Sequence, residues 1–458
     1  MMRVLYRYSL EIAGALISFF LFIVMIGNQS DPTGSAGPLA RGLIDLEWAF
    51  RPVSVLVLVY CVVYALLWQL PLSILVKSYF PSIAKRFATG WTVEVSKRQE
   101  RFVILLVTLS ILLLRLYPYF RYNELIGLDS GGYLYGLFVI QEHPELAFAG
   151  ASIGPSLSFV LTFAPLDLFG FLGMPWETVL VAEAIFLSLF YILCNYVLAG
   201  TKVDKFTVLL TVVISAFSLN AEFSTSILFR NAMGLSLMTL AFACYLRYLR
   251  HGQRKYAIFV SLLTLIMLIQ YPFIVLTFIG ITALFILTQL LPFGLKGSFL
   301  QKSKRLLMPI LVPVVLLGVT GVLFATNQLT RGLPFDLSTL ASNTFAGFGA
   351  GVEVSHLLPT FWVSLFDEPF YSFFADNLLI LFLACVGLFG ILTIPNQTEA
   401  DISFRNLIFS WCAFVTISIF LGGTEGYREV LNYPLPIISA MGTMWVIRLI
   451  LRKPSGRP

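Results

Sequence analysis

Asp129 is the side chain with the clearest potential for acid–base chemistry, because of the residues that follow it. Ser130, Gly131, Gly132 and Tyr133 come directly after it, so a carboxylate stands beside an open stretch of main chain. Glycine destabilises the first turn of a helix but allows a ligand to approach the backbone closely. Two roles are therefore equally well supported: a general base that takes a proton from a reacting group, or an N-cap for a helix that begins at Ser130.

Three arginines are candidates for binding phosphate, since a guanidinium group donates two parallel hydrogen bonds to phosphate oxygens. Arg428, in the segment GYREVLNYP, is the first candidate, and Arg230 is the second. Arg115 lies within an apolar segment shortly before Pro118, and its long side chain can extend outward. An ion pair with a neighbouring glutamate explains Arg428 equally well, and pairing with Glu124 is the simpler interpretation for Arg115.

Further acidic and aromatic residues complete the predicted site. Glu222 is a second catalytic candidate, although a solvated helix end is the simpler interpretation. The adjacent carboxylates Asp367 and Glu368 could bind a divalent cation, which prefers oxygen ligands, but a solvated loop is simpler and no metal site is assigned. The residues predicted to line the substrate site are Glu124, Tyr133, Tyr135, Tyr427 and Tyr433.

The chain that must position these residues is strongly apolar. Of its 458 residues, 58% are hydrophobic and 12% are charged, whereas about a quarter of a typical soluble protein is charged. Long apolar runs without the alternation of a β-barrel strand predict helices that cross a membrane. We therefore expect an all-α polytopic membrane protein with about 12 transmembrane helices. The net charge of +6 comes from basic residues between apolar runs, which favours a lipid bilayer as the partner and not nucleic acid.

Twelve spans are predicted from these runs, most of them close to the roughly 20 residues that cross a bilayer. Pro272 separates the seventh span from the eighth, because proline does not continue a helix. The first run follows Arg3 and Arg7 but lacks a convincing cleavage site, which indicates an uncleaved first span. The predicted spans are 8–27, 53–76, 102–120, 178–199, 206–222, 231–249, 256–270, 273–291, 306–326, 376–394, 406–421 and 433–451.

The distribution of basic residues orients these spans, since Lys and Arg are enriched in cytoplasmic loops. With both termini in the cytoplasm, 23 of the 30 Lys and Arg lie on that side and six lie outside. Counting 151–177 as a span would turn the basic clusters at 247–255 and 296–305 outward, so it is predicted to lie at the outer interface. The long segments 121–177 and 327–375 then face the exterior of the cell inner (cytoplasmic) membrane, where any chemistry is expected.

Three stretches of sequence carry a pattern that is shared with a known family. The first begins with an arginine-bearing helix and Pro118, continues through Asp129 and a run of small residues and tyrosine, and ends at GPSLSF. The others are ILFRNAMGLSLMTLAFACYLRYLRHGQRKYA and GYREVLNYPLPIISAMG. Together they resemble the GT-C-fold integral membrane glycosyltransferases, which include protein mannosyltransferases and lipid A aminoarabinose transferases. The resemblance covers most of 102–450. The sequence departs from the family pattern at three points. Ser130 stands where an acidic residue is common, two extra spans lie within 1–101, and a large C-terminal outer domain is lacking.

This resemblance implies a single transmembrane domain over 1–458 and an enzyme, a glycosyltransferase of the hexosyltransferase type. It implies that a sugar passes from a polyprenyl-phosphate donor to a lipid, glycan or protein acceptor at the periplasmic or extracellular face of the cell envelope. Asp129 would be the general base, in a catalytic loop at 121–177. A divalent metal is left open as a cofactor. The alternatives are a transporter or flippase for a lipid-linked substrate, a polysaccharide polymerase or ligase of another membrane fold, and a scaffold without enzymatic activity.

Overall fold

The computed structural model describes residues 95–122, 139, 142–143, 176–201, 204–218, 229–270, 272–290, 299–315, 318, 383–384, 387, 399–421 and 432–450. All regular elements in this part of the chain are helical. The α-helices are α1 (Lys97–Tyr122), α2 (Trp176–Ala199), α3 (Lys205–Phe217), α4 (Phe229–His251), α5 (Arg254–Gln270), α6 (Pro272–Leu290), α7 (Phe299–Leu307), α8 (Glu399–Leu421) and α9 (Leu435–Ile450). A 3-10 turn, Met308–Ile310, follows α7 directly.

The all-α fold class that the sequence predicts is confirmed for the described residues. The predicted spans at 178–199 and 256–270 coincide closely with α2 and α5. The break at Pro272 is also present, since α5 ends at Gln270 and α6 begins at the proline. The predicted spans 8–27 and 53–76 lie outside the described residues, and so does the long outer segment 327–375. The interfacial helix expected at 151–177 also lies outside them, apart from its last two residues.

Two of the described helices are long and apolar enough to cross a membrane, as judged by length and composition: Thr178–Ala199 within α2 and Asn231–His251 within α4. Both are compatible with membrane association. Helices α1 and α5 also expose apolar side chains, which water solvates unfavourably and lipid accepts. These side chains are Phe102, Leu105, Leu106, Leu109 and Leu113 on α1, and Ile258, Phe259, Leu262, Leu265 and Ile266 on α5.

Helix α4 is the centre of the described bundle, where it contacts α2, α5, α6 and α8. Aromatic rings fill its contacts with α6 and α8, since the ring centroids of Phe242 and Phe278, and those of Phe242 and Trp411, are 5.0 Å apart. Tyr245 adds an edge-to-face contact with Phe285 at 5.6 Å. Each such pair contributes about 0.5–1.5 kcal/mol beyond the area that it buries, so these rings hold α6 and α8 against α4.

Local hydrogen bonds explain where α1 and α3 begin. The main-chain N–H of Ser96 donates to Gln99 Oε1 at 2.9 Å, and the N–H of Gln99 donates to Ser96 Oγ at 3.2 Å. This reciprocal pattern is a capping box, and it starts α1 before the apolar run that predicted a span at 102–120. Asp204 caps α3, because its Oδ1 accepts from the N–H of Thr207 at 3.1 Å.

Helices α4 and α5 are joined by a tight turn at Gly252. The φ angle of Gly252 is 68°, and its N–H donates to the carbonyl oxygen of Tyr248 at 2.8 Å. This left-handed helix cap favours glycine, since a side chain is strained there. Helix α5 packs against α4 after the turn, and the basic residues at the end of α4 are gathered at one end of the bundle.

Several basic residues that the sequence predicts in cytoplasmic loops lie in helices instead. Lys302, Lys304 and Arg305 belong to the short helix α7, and Lys302 is buried. Arg405 is 2% exposed within α8, one turn after the buried Asp401. Hydropathy records a charge but not whether the fold buries it, so the predicted span at 406–421 covered only part of α8.

Candidate functional site

Three of the predicted site residues lie in the described part of the chain. Arg115 belongs to α1, and Arg230 is the second residue of α4. Tyr433 comes shortly before α9 and is 1% exposed. The roles predicted for them stay predictions. The other predicted site residues lie outside the described residues: Asp129, Glu222, Arg428, Glu124, Tyr133, Tyr135 and Tyr427.

The chain is already inside the bundle before α9 begins. Trp411 Nε1 donates a hydrogen bond to the main-chain oxygen of Asn432 at 2.6 Å, and both residues are buried. Helix α8 continues from Trp411 to Leu421, which is about 15 Å at 1.5 Å per residue. Asn432 therefore lies level with the middle of α8 and not with its end. The third family-like stretch, GYREVLNYPLPIISAMG, thus has its Asn432 and Tyr433 packed among helices.

Glu183 is a buried carboxylate that is not among the predicted site residues. It lies in α2, within the apolar stretch Thr178–Ala199, and is 0% exposed. An ionisable group within a membrane span is costly, and such groups are usually paired or functional. Glu183 is visible in the sequence as the one acidic residue of VLVAEAIFLSLF. The mean hydropathy over a window of its apolar neighbours stays high, however, and hides the charge.

Buried polar side chains are also found on α6 and α8, which pack against each other. Gln289 and Asn406 are fully buried, and Asp401 and Arg405 are nearly so. The side-chain amide of Gln289 has no hydrogen-bond partner among the described residues. Gln289 stands at the end of α6, and Asp401 stands at the start of α8. The predicted topology places these ends on the cytoplasmic side, opposite the predicted catalytic loop, so we do not assign them to catalysis.

A pocket of about 480 Å³ lies at the ends of α2 and α4, beside the start of α8. Its charged side chains are Arg247, Arg250, Arg305 and Glu399, and His251 lies beside them. We call this cavity the basic pocket. The sequence alone does not mark this cavity as a site, because the orientation of the spans already explains its arginines. Their convergence depends on how α4, α7 and α8 pack, which no local signal records.

A metal site does not emerge from the described helices. Within the ranges that the structure describes, no group of three His, Cys, Asp or Glu side chains could hold a metal ion. Asp367 and Glu368, the pair that the sequence offers for a divalent cation, lie outside those ranges. The cofactor therefore stays open.

Neither a family model nor a curated protein matches the chain. What the structure defines is a class: an α-helical protein whose described helices include two that are compatible with membrane association. A more specific function has to be proposed from the sequence pattern and from the buried groups described above.

Proposed function

We propose that this chain is an integral membrane glycosyltransferase. It transfers a sugar from a polyprenyl-phosphate donor to a lipid, glycan or protein acceptor at the outer face of the cell inner membrane. In the proposed topology, about 12 helices cross the bilayer, both termini are cytoplasmic, and 121–177 forms the catalytic loop. The exposed apolar side chains of α1 and α5 contact lipid.

The proposed reaction is a substitution at the anomeric carbon of the donor sugar. The acceptor atom forms a bond to that carbon while the bond between the carbon and the phosphate oxygen breaks. Asp129 takes the proton of the acceptor and stabilises the positive charge of the oxocarbenium-like transition state. Polyprenyl phosphate leaves with an added negative charge, which Arg428 neutralises through two charge-assisted hydrogen bonds.

The observation that supports this proposal best is the burial of Asn432 and Tyr433 before α9. Both belong to the stretch GYREVLNYPLPIISAMG, whose arginine is the proposed phosphate ligand. The chain from Arg428 to Asn432 spans at most about 14 Å, even when it is fully extended. Trp411 anchors Asn432 inside the bundle, and the proposal places Arg428 within this reach of it, at the membrane surface. A donor whose lipid tail lies in the membrane has to present its phosphate at the membrane surface, beside these helices.

Replacement of the proposed base tests this function. Asp129→Asn keeps the size of the side chain but removes its basicity, so the rate of transfer should fall about 10²–10⁴-fold. Asp167→Asn, in the same predicted loop, is the matched control and should retain the wild-type rate. Membranes that contain each variant are incubated with a panel of polyprenyl-phosphate hexoses labelled in the sugar, and the labelled glycoside is measured. Wild-type turnover in Asp129→Asn would contradict the assignment of the base.

A transporter of a lipid-linked substrate is the alternative that a described residue favours. Glu183 is fully buried within an apolar stretch, and ionisable groups in such positions are typical of proton-coupled carriers. Under the glycosyltransferase proposal, Glu183→Gln keeps the rate of sugar transfer, because the residue takes no part in the proton transfer. Under the alternative, the same variant loses the flux of a labelled lipid-linked sugar into proteoliposomes, and the wild type forms no new glycoside.

A further inference from the structure

We propose that the basic pocket binds the phosphate group of an anionic phospholipid. The pocket holds about 480 Å³, which falls within the range of small-ligand sites. Arginines supply one part of its wall, and the buried side chains of Leu246, Leu249 and Phe404 supply another. Such a wall matches the two parts of a phospholipid, the charged headgroup and the first carbons of its glycerol and acyl chains.

The position of the basic pocket identifies the source of the phosphate. Gly200 and Thr201 follow the apolar stretch of α2 directly, while Arg247 and Arg250 lie in the last two turns of the apolar stretch of α4. The ends of helices that cross a bilayer stand among the lipid headgroups of one leaflet. A headgroup phosphate is therefore the anion that surrounds the pocket at the highest local concentration, and basic pockets between membrane helices suit it.

The charges of the basic pocket leave two guanidinium groups available. Arg247 and Arg250 make no hydrogen bond or ion pair with a described residue. Arg305 is held in place, because its Nη1 lies 3.4 Å from Glu399 Oε2 and its Nη2 donates to the main-chain oxygen of Leu249. Three arginines against one glutamate leave the pocket with two excess positive charges. A phosphate oxygen pair can accept two hydrogen bonds from a single guanidinium group.

Stabilisation of the α4 dipole is the simpler explanation for basic residues in the last turns of that helix. It extends to Arg305 of α7, which donates to the main-chain oxygen of Leu249 in the last turn of α4. It does not require Arg247 and Arg250 to face a cavity that Arg305 also lines. The start of α8 lines the cavity with Glu399 and Ala400, and Glu399 pairs with Arg305. Positively charged side chains thus converge on the cavity from two helices, α4 and α7, which a dipole effect on one of them does not require.

Native mass spectrometry of the detergent-solubilised full chain tests this binding. The protein is mixed with equal amounts of phosphatidylglycerol and phosphatidylcholine, and the lipid that stays bound is counted. The wild type should retain phosphatidylglycerol preferentially, and Arg247→Gln/Arg250→Gln should retain it about tenfold more weakly. Arg250→Gln alone should show a smaller loss of the same kind. Because Arg250 is exposed, this single variant keeps the test decisive if the double variant does not fold.

The matched control is Arg254→Gln/Lys255→Gln, since both residues are exposed, follow closely in the chain, and do not line the pocket. This control should retain phosphatidylglycerol as the wild type does. An equal loss in the control, or equal retention of the two lipids by the wild type, would overturn the site. Displacement of the lipid by millimolar inorganic phosphate would assign the pocket to a soluble anion and overturn the lipid. Lipid binding does not require transfer of a sugar, so this result and the test of Asp129 fail independently.

Discussion

Trp411 and Asn432 are joined by a hydrogen bond in which the indole Nε1 donates to the main-chain oxygen at 2.6 Å. Both residues are buried. The bond connects the middle of α8 to the chain just before α9, so it fixes where the last helix enters the bundle. A buried main-chain oxygen that loses its donor costs free energy. Removal of this one donor should therefore change the stability measurably.

Trp411→Phe removes the donor and keeps an aromatic ring. The free energy of unfolding should fall by about 1–3 kcal/mol, because the oxygen of Asn432 loses this hydrogen bond. Thermal unfolding of the purified protein in detergent would show the change as a lower Tm. Tyr256→Phe is the control, since the Tyr256 hydroxyl has no hydrogen bond to a described residue, and its Tm should match the wild type. A wild-type Tm in Trp411→Phe would show that this bond does not stabilise the entry of α9.

Local signals in the sequence located several of the described helices, although not the short helix α7. Pro272 separates α5 from α6 as predicted, because its effect on the backbone needs no distant partner. Apolar runs likewise predicted most of the described helices, since a helix satisfies its backbone hydrogen bonds within one segment. The burial of Arg405 and Asn432 was missed, because it depends on contacts between segments that are distant in the chain.

The candidate site was likewise predictable from the sequence only in part. Residue types alone make Asp129 a candidate base and Arg428 a candidate phosphate ligand, but the proposed reaction requires the two to face one substrate. No property of either neighbourhood in the sequence records that pairing. Glu183 was missed for a different reason, since one charge among many apolar residues barely changes the hydropathy of its segment. The basic pocket was missed because its arginines have an independent explanation in the orientation of the spans.

Tyr245 and Tyr248 form a matched pair on α4. Tyr245 Oη donates to the main-chain oxygen of Leu306 at 2.6 Å, whereas Tyr248 Oη donates to Met308 Sδ at 3.1 Å, a weaker acceptor. Tyr245→Phe should lower the free energy of unfolding by about 1–3 kcal/mol, because it deprives a buried carbonyl of its donor. Tyr248→Phe should cost less than about 1 kcal/mol, because a thioether left without a donor is cheaply buried. Equal losses in thermal unfolding would contradict this distinction.

Gly442 marks a close crossing between α9 and the helical residues that include Leu383 and Gly387. A Cβ at Gly442 would overlap the carbonyl oxygen of Leu383, and a Cβ at Gly387 would overlap that of Ile438. Small residues let helix backbones approach this closely.

Gly442→Ala should therefore lower the free energy of unfolding by about 1–3 kcal/mol through overpacking. Gly318→Ala is the control, because among the described residues no atom outside its own helix lies within 4 Å of a Cβ built there, and the residue is helical. It should raise stability by up to about 1 kcal/mol through helix propensity. If thermal unfolding showed a raised Tm for both variants, the two backbones would not be in contact at Gly442.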